Sequence, residues 1–163
     1  MKDKIKGRPL IVSISGGKDS TATYLHLTRD LGLEVELVHM DTGWEHPAVL
    51  EYIENTIEPR FGKVKKLKSK QNPGGMRDLI KRKGIFPSRQ IRYCTHDLKI
   101  KPWQDHLKTL DGPIVSVLGI RKEESKARSG AARWDYDLKT GADVFRPLVD
   151  FTFEDVIETH KRY

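Results

Sequence analysis

Six consecutive residues carry the strongest chemical signal in the chain: Ser15-Gly16-Gly17-Lys18-Asp19-Ser20. Adjacent glycines let the backbone approach an anion, the Ser15 and Ser20 hydroxyls add donors, and a helix starting at Lys18 aims free amides and its positive dipole end at the same place. This combination is a phosphate cradle. It is not a Walker loop, because the second glycine follows the first directly and no Gly-Lys-Ser/Thr comes at the required spacing. The other reactive side chains are sparser. Cys94 is the lone cysteine, which excludes an internal disulfide and suits a reducing compartment. The six histidines (His26, His39, His46, His96, His106 and His160) show no zinc spacing and read as surface or packing groups.

The elements that position the cradle are legible from periodicity. Residues 10–14 form an apolar run that predicts a strand, and from Lys18 the spacing turns helical through Ala22, Leu25 and Leu27 to Leu31-Gly32. Residues 35–40 predict a second strand, and Pro47 opens a helix with Val49, Leu50, Ile53 and Ile57 on one face. A βαβα start implies a parallel sheet flanked by helices, so the expected fold class is α/β, doubly wound, with helices on both faces. Residues 64–67 predict a third strand framed by lysines, which discourage edge pairing. Asn72-Pro73-Gly74-Gly75 forces a loop, residues 76–83 a helix ended by Gly84, and residues 98–110 a helical stretch disturbed by Pro102. A strand at 114–118 closed by Gly119, a hairpin about Lys139-Thr140-Gly141 and a last helix capped by Thr152 with Asp155 complete the expected order.

At 163 residues the chain predicts a single domain over 1–163. No run of about 18 apolar residues is present and nothing resembles a signal peptide, so the sequence predicts no membrane span and a cytoplasmic protein. The formal charge of +7 is unevenly placed: residues 61–110 hold 14 basic and 3 acidic groups, while the remainder is net acidic. Such a field attracts polyanions, or else forms a solvated face.

The cradle resembles the pyrophosphate loop of the PP-loop ATP pyrophosphatases, of the adenine nucleotide alpha-hydrolase-like superfamily. Asp41-Thr42-Gly43-Trp44-Glu45, Phe86-Pro87, Arg92-Tyr93-Cys94-Thr95 and Leu98-Lys99-Ile100-Lys101-Pro102 resemble successive blocks of the phosphoadenosine phosphosulfate (PAPS) reductase family. Gly119-Ile120-Arg121-Lys122-Glu123-Glu124-Ser125 and Pro147-Leu148-Val149-Asp150 with Phe153-Glu154-Asp155-Val156 continue the order. The resemblance implies an adenine-nucleotide enzyme using ATP or phosphoadenosine phosphosulfate, with Ser13, Ser15, Gly16, Gly17, Lys18, Asp19, Ser20, Asp41, Thr42, Gly119 and Arg121 around the nucleotide. Lys18, Asp19 and Arg121 would act in catalysis, Asp19 and Asp41 would hold Mg²⁺, and Lys99, Lys101 and Arg128 would clamp sulfate or phosphate. Cys94 is the candidate redox or cluster residue, although an iron-sulfur cluster takes four thiolates and this chain has one. The family's C-terminal cysteine segment is not found in the chain, whereas its loop is complete, which points toward ATP. Alternatives are a nucleic-acid-associated component using the basic middle segment, and a non-catalytic nucleotide-binding homologue. Candidate partners beyond the nucleotide are nucleic acid, a partner subunit or a second copy of the chain.

Overall fold

Strands form where the apolar runs lie, and in the computed structural model, which describes residues 2–163, they build one six-stranded, mostly parallel sheet. The strands are β1 (Leu10–Ser13), β2 (Glu36–Met40), β3 (Val64–Leu67), β4 (Val115–Val117), β5 (Trp134–Asp137) and β6 (Ala142–Phe145), in the order β3-β2-β1-β4-β6-β5. The helices are α1 (Lys2–Ile5), α2 (Lys18–Leu25), α3 (Pro47–Tyr52), α4 (Glu58–Phe61), α5 (Gly75–Lys83), α6 (Tyr93–Thr95), α7 (Lys101–Leu107) and α8 (Phe153–Arg162). The lysine-rich β3 takes one edge, as expected, and the β5–β6 hairpin takes the other. The expected α/β doubly wound class is what the chain adopts.

Chain contacts divide the molecule into two units, residues 1–37 with 112–163 and residues 38–111. In the first unit β4 lies parallel between β1 and β6, with Ile11 opposite Ser116 and Ser116 opposite Val144. Leu10, Ile11 and Val12 are buried in succession, because a central parallel strand is covered on both faces. Helix α2 packs on α8 through Ala22, Leu148 and Val156, with Phe151 at the margin. Thr152 and Asp155 form the expected capping box: Asp155 N donates to Thr152 Oγ1 at 3.1 Å and Thr152 N to the Asp155 carboxylate at 2.7 Å. Trp134 stacks on the fully buried Phe145 with ring centroids 4.4 Å apart.

In the second unit Ile53, Ile57, Leu79 and Leu98 are fully buried and form the apolar interior with Val38 and Val64. The helical stretch expected at 98–110 in fact begins at Tyr93, and Pro102 does not interrupt it. A π-turn over His96–Ile100 precedes the proline, with Lys101 N–H bonded five residues back to His96 O. The wider turn makes room for a ring that would clash in a regular helix. Pro59 is accommodated the same way, after the π-turn Ile53–Ile57. Helix α5 starts at Gly75, where φ is +63° and a Cβ would strike the Thr42 carbonyl. Met76 N donates to that same Thr42 O at 2.8 Å, so the end of β2 and the start of α5 are tied backbone to backbone. No helix among the described residues is long and apolar enough to cross a membrane.

Candidate functional site

Strand β1 stops at Ser13 because Ser15, Gly16 and Gly17 have no apolar face to bury, and the turn they make delivers the chain to α2. Strands β1 and β4 are neighbours whose onward connections diverge, which makes their carboxyl ends the topological switch point where open α/β sheets bind ligands. Gly16 sits at φ +77°, and Gly17 is the N-cap with no side-chain cap on the helix. The amides of Lys18, Asp19 and Ser20 have no hydrogen-bond partner among the described residues, which leaves the N-terminus of α2 open to an anion. The serines shape the loop: Ser20 Oγ donates to Gly17 O at 2.9 Å and accepts from Ser15 N at 3.2 Å, while Gly17 N donates to Ser15 Oγ at 3.3 Å. From α8, His160 Nε2 donates to Lys18 O at 2.8 Å.

A neutral chain of charges surrounds this turn. Asp19 accepts from Lys18 Nζ at 2.6 Å on one oxygen and from Arg121 Nε at 2.6 Å on the other. Arg121 reaches on to Glu123 at 2.8 Å through Nη1, and its backbone N–H donates to Glu124 at 3.1 Å. Arg128 pairs with Glu124 in turn. The Arg121 side chain is only 4% exposed, so its guanidinium is held in place rather than solvated. Lys18 Nζ also lies 5.5 Å above the Phe153 ring. Arg121 can reach Asp19 because Gly119 lets the segment after β4 press on α2: a Cβ there would sit 2.6 Å from Thr23 Oγ1 and 3.0 Å from Asp19 O.

Burial pushes the Asp19 carboxyl upward, but hydrogen bonds and charge from Lys18 and Arg121 outweigh it and hold the group below the ordinary carboxylate value. Asp41 behaves alike, burial being overcome by Lys68 and the Gly43 amide. A depressed folded-state value means the stabilisation is complete above the unfolded value of about 3.9 and disappears as pH falls through the folded value. The Asp19→Asn variant is therefore expected to show a shallower loss of stability below about pH 4 than wild type, read by urea denaturation across pH. Identical pH slopes would refute the coupling.

In the second unit Asp41 Oδ1 accepts from Gly43 N at 2.9 Å and its other oxygen pairs with Lys68 at 3.0 Å. Thr42 donates from N and Oγ1 to Glu45, at 3.1 and 2.6 Å. Lys99 is exposed on the π-turn, and Lys101 bonds Gln71. Cys94 is a free, half-buried thiol in α6. Ser13 ends β1 and is half-buried. Thus Ser15 to Ser20, Gly119, Arg121 and Arg128 are gathered by one unit, while Asp41, Thr42, Cys94, Lys99 and Lys101 belong to the other. The sequence reading missed Glu123, Glu124, Thr23, Phe153 and His160 beside the loop. Glu123 and Glu124 carried a signal inside the Gly-x-Arg block, and Phe153 inside the last of the quoted blocks.

The Mg²⁺ assignment meets an obstacle in this geometry. Both candidate carboxylates already have both oxygens engaged, and no group of three His, Cys, Asp or Glu residues suited to a metal occurs among the described residues. The residues present do not fit a resident ion.

Residues 9–162 match the phosphoadenosine phosphosulfate reductase domain. An uncharacterised 37.8 kDa protein of Escherichia phage 186 is 29% identical over 94% of this chain and 60% of its own length. An uncharacterised protein of Methanocaldococcus jannaschii is 32% identical over 80% of this chain, but only 26% of its own length. The chain therefore spans less than two thirds of the length of either relative. Among solved structures, the phosphoadenylyl-sulfate reductase of Candida auris, a phosphate complex, superposes with TM-score 0.71 at 16% identity, over 98% of this chain and 74% of that one. The FMN adenylyltransferase of Candida glabrata, with FMN and an ATP analogue, gives 0.62 at 13% identity, over 93% and 46%. Those two show likeness of fold. The match over nearly the whole chain shows descent: this protein belongs to the phosphoadenosine phosphosulfate reductase domain family.

Proposed function

We propose that the chain binds an adenine nucleotide, ATP or phosphoadenosine phosphosulfate, at residues 15–20 and uses it in adenylyl- or sulfur-transfer chemistry. The supporting observation is the uncapped N-terminus of α2 behind an intact Ser-Gly-Gly-Lys-Asp-Ser turn, with the buried Arg121 fixed on Asp19. Phosphate oxygens would accept from the amides of Lys18, Asp19 and Ser20. They would also compete with Asp19 and Glu123 for Lys18 and Arg121, cations that the acids hold ready in place. With ATP, an acceptor's lone pair would form a bond to the α-phosphorus as the bond to the bridging oxygen breaks, and pyrophosphate would leave with that electron pair. Positioning and cationic stabilisation supply most of what such a displacement requires. A divalent ion, where one takes part, would arrive on the triphosphate, since the protein's own carboxylates are committed; ions of this kind are commonly bound through substrate phosphates.

The family match favours a sulfonucleotide as the second reading, and the complete loop favours ATP. Calorimetric titration with each ligand separates them. Expected is binding of at least one, lost in Gly17→Val, whose new side chain would crowd Ser15 Oγ, already 3.3 Å from a Cβ at that position. Equal affinity in wild type and Gly17→Val would overturn the loop assignment.

A further inference from the structure

We propose that the second unit carries a docking surface for single-stranded nucleic acid, formed by the end of α5 and the loop that follows it. Both units hold ion pairs, those of the second including Lys66 with Glu54 and Lys68 with Asp41, but one stretch of the second stands apart. In the first, Arg8, Lys18, Arg121, Arg133 and Arg146 each hold a carboxylate. In the second, Lys81, Arg82, Lys83, Arg89 and Arg92 form no ion pair with any described residue, and all five are exposed. Residues 81–92 contain no acid. The nearest acid in sequence, Asp78, turns back to accept from Gly74 N at 2.9 Å. Cations without an ion pair, beside an acid that serves the backbone, create an unneutralised field, which an anionic polymer satisfies by releasing its counterions.

The loop is built rather than loose. Ser88 N donates to Ile91 O at 3.1 Å, Ile91 N donates to Ser88 Oγ at 3.1 Å, and the Tyr93 hydroxyl is bonded to Ile85 O. Lys83 Nζ lies 6.0 Å from the Tyr93 ring centroid. These ties hold Arg89 and Arg92 on an ordered frame that also displays Phe86, 64% exposed, with Ile85 and Ile91 beside it in sequence and likewise exposed. At the other end of α5, the Thr42 carbonyl is bonded to Met76 N, which brings the loop of Trp44, 55% exposed, to that helix's start. A nine-residue helix thus runs between two segments that each expose an aromatic ring. Its length of roughly 13 Å is comparable to about four stacked nucleotides. Exposed rings favour unpaired bases, whose faces are free to stack, over a duplex or an acidic protein.

The test is independent of the nucleotide loop, which lies in the first unit. Fluorescence anisotropy of a labelled oligothymidylate of about 12 nucleotides would be followed between about 50 and 200 mM salt. Wild type is expected to bind with a steep salt dependence. Lys81→Ala/Arg82→Ala/Arg89→Ala should weaken binding about tenfold or more and reduce the logarithmic salt slope by about 2. Phe86→Ala should weaken it about tenfold with the slope unchanged. Thermal unfolding of both variants, all of whose changes are at exposed positions, should match wild type. No binding at the lowest salt, or unchanged affinity in the triple variant, overturns the proposal. So does polyglutamate or a DNA duplex competing as well as the single strand.

Discussion

Arg121→Met is expected to eliminate nucleotide binding and to destabilise the fold by about 3 kcal/mol, near the lower end for breaking a buried ion pair. The lower end applies because Asp19 keeps Lys18 at 2.6 Å after Arg121 is removed. What remains is a carboxylate 16% exposed that has lost one of two cationic partners, and a Glu123 freed into solvent. The pair's two roles separate in a double-mutant cycle. Asp19→Leu combined with Arg121→Met should recover most of the stability, since an apolar pair of similar volume often replaces a buried ion pair without loss. It should recover none of the binding, because the cation proposed to meet the phosphates is gone. Urea denaturation reads the first quantity and calorimetric titration the second. An Arg121→Met protein that binds ATP and phosphoadenosine phosphosulfate as wild type does would remove Arg121 from the site.

Gly119→Val should have an effect of similar size on binding from a residue that contacts no charge. Its Cβ would fall 2.6 Å from Thr23 Oγ1 and 3.0 Å from the Asp19 carbonyl, and backbone cannot step aside as a flexible side chain does. Thr23 is itself fixed, donating from Oγ1 to Asp19 O at 2.8 Å. The segment after β4 must then lift from α2, which carries Arg121 away from Asp19. We expect a destabilisation of about 1–3 kcal/mol, as for overpacking elsewhere, together with loss of nucleotide binding. Gly119→Ala should be milder, and Thr23→Ala in that background should restore part of the loss by removing the nearer of the two obstructing atoms. Gly130→Ala is the control, since nothing lies within 4 Å of a Cβ there. Thermal unfolding alongside titration checks all four, and wild-type binding by Gly119→Val would refute the packing argument.

Gly17 and Gly75 illustrate how unevenly the chain declares itself. Gly17 is conspicuous in sequence because it sits in a complete motif between a strand and a helix. Gly75 is not: it reads as half of a loop signal, yet its place is decided by a carbonyl thirty-three residues earlier, against which no side chain fits. The hairpin about Lys139-Thr140-Gly141 and the Thr152 capping box were legible because turn and cap chemistry is local. The helix over residues 93–107 was legible only in its second half, because Pro102 signals a break from the residue alone. Whether a helix passes through a proline depends on the turn ahead of it, here a π-turn.

Sequence by itself determined the α/β class, the six strands and the glycine turn between β1 and α2, since each follows from periodicity or from contiguous residues within a turn or two, and it showed the family as a resemblance of motif blocks. Tertiary structure alone decided that Asp19 and Arg121, separated by 102 positions, form one ion pair, and that Glu123 and Lys18 extend it. It also decided that the candidate Mg²⁺ carboxylates are occupied by cations, and that Lys81, Arg82, Arg89 and Arg92 form no ion pair among the described residues. The reason is physical. Local backbone preferences act over a few residues, whereas charge pairing and close packing depend on which segments the sheet order brings together.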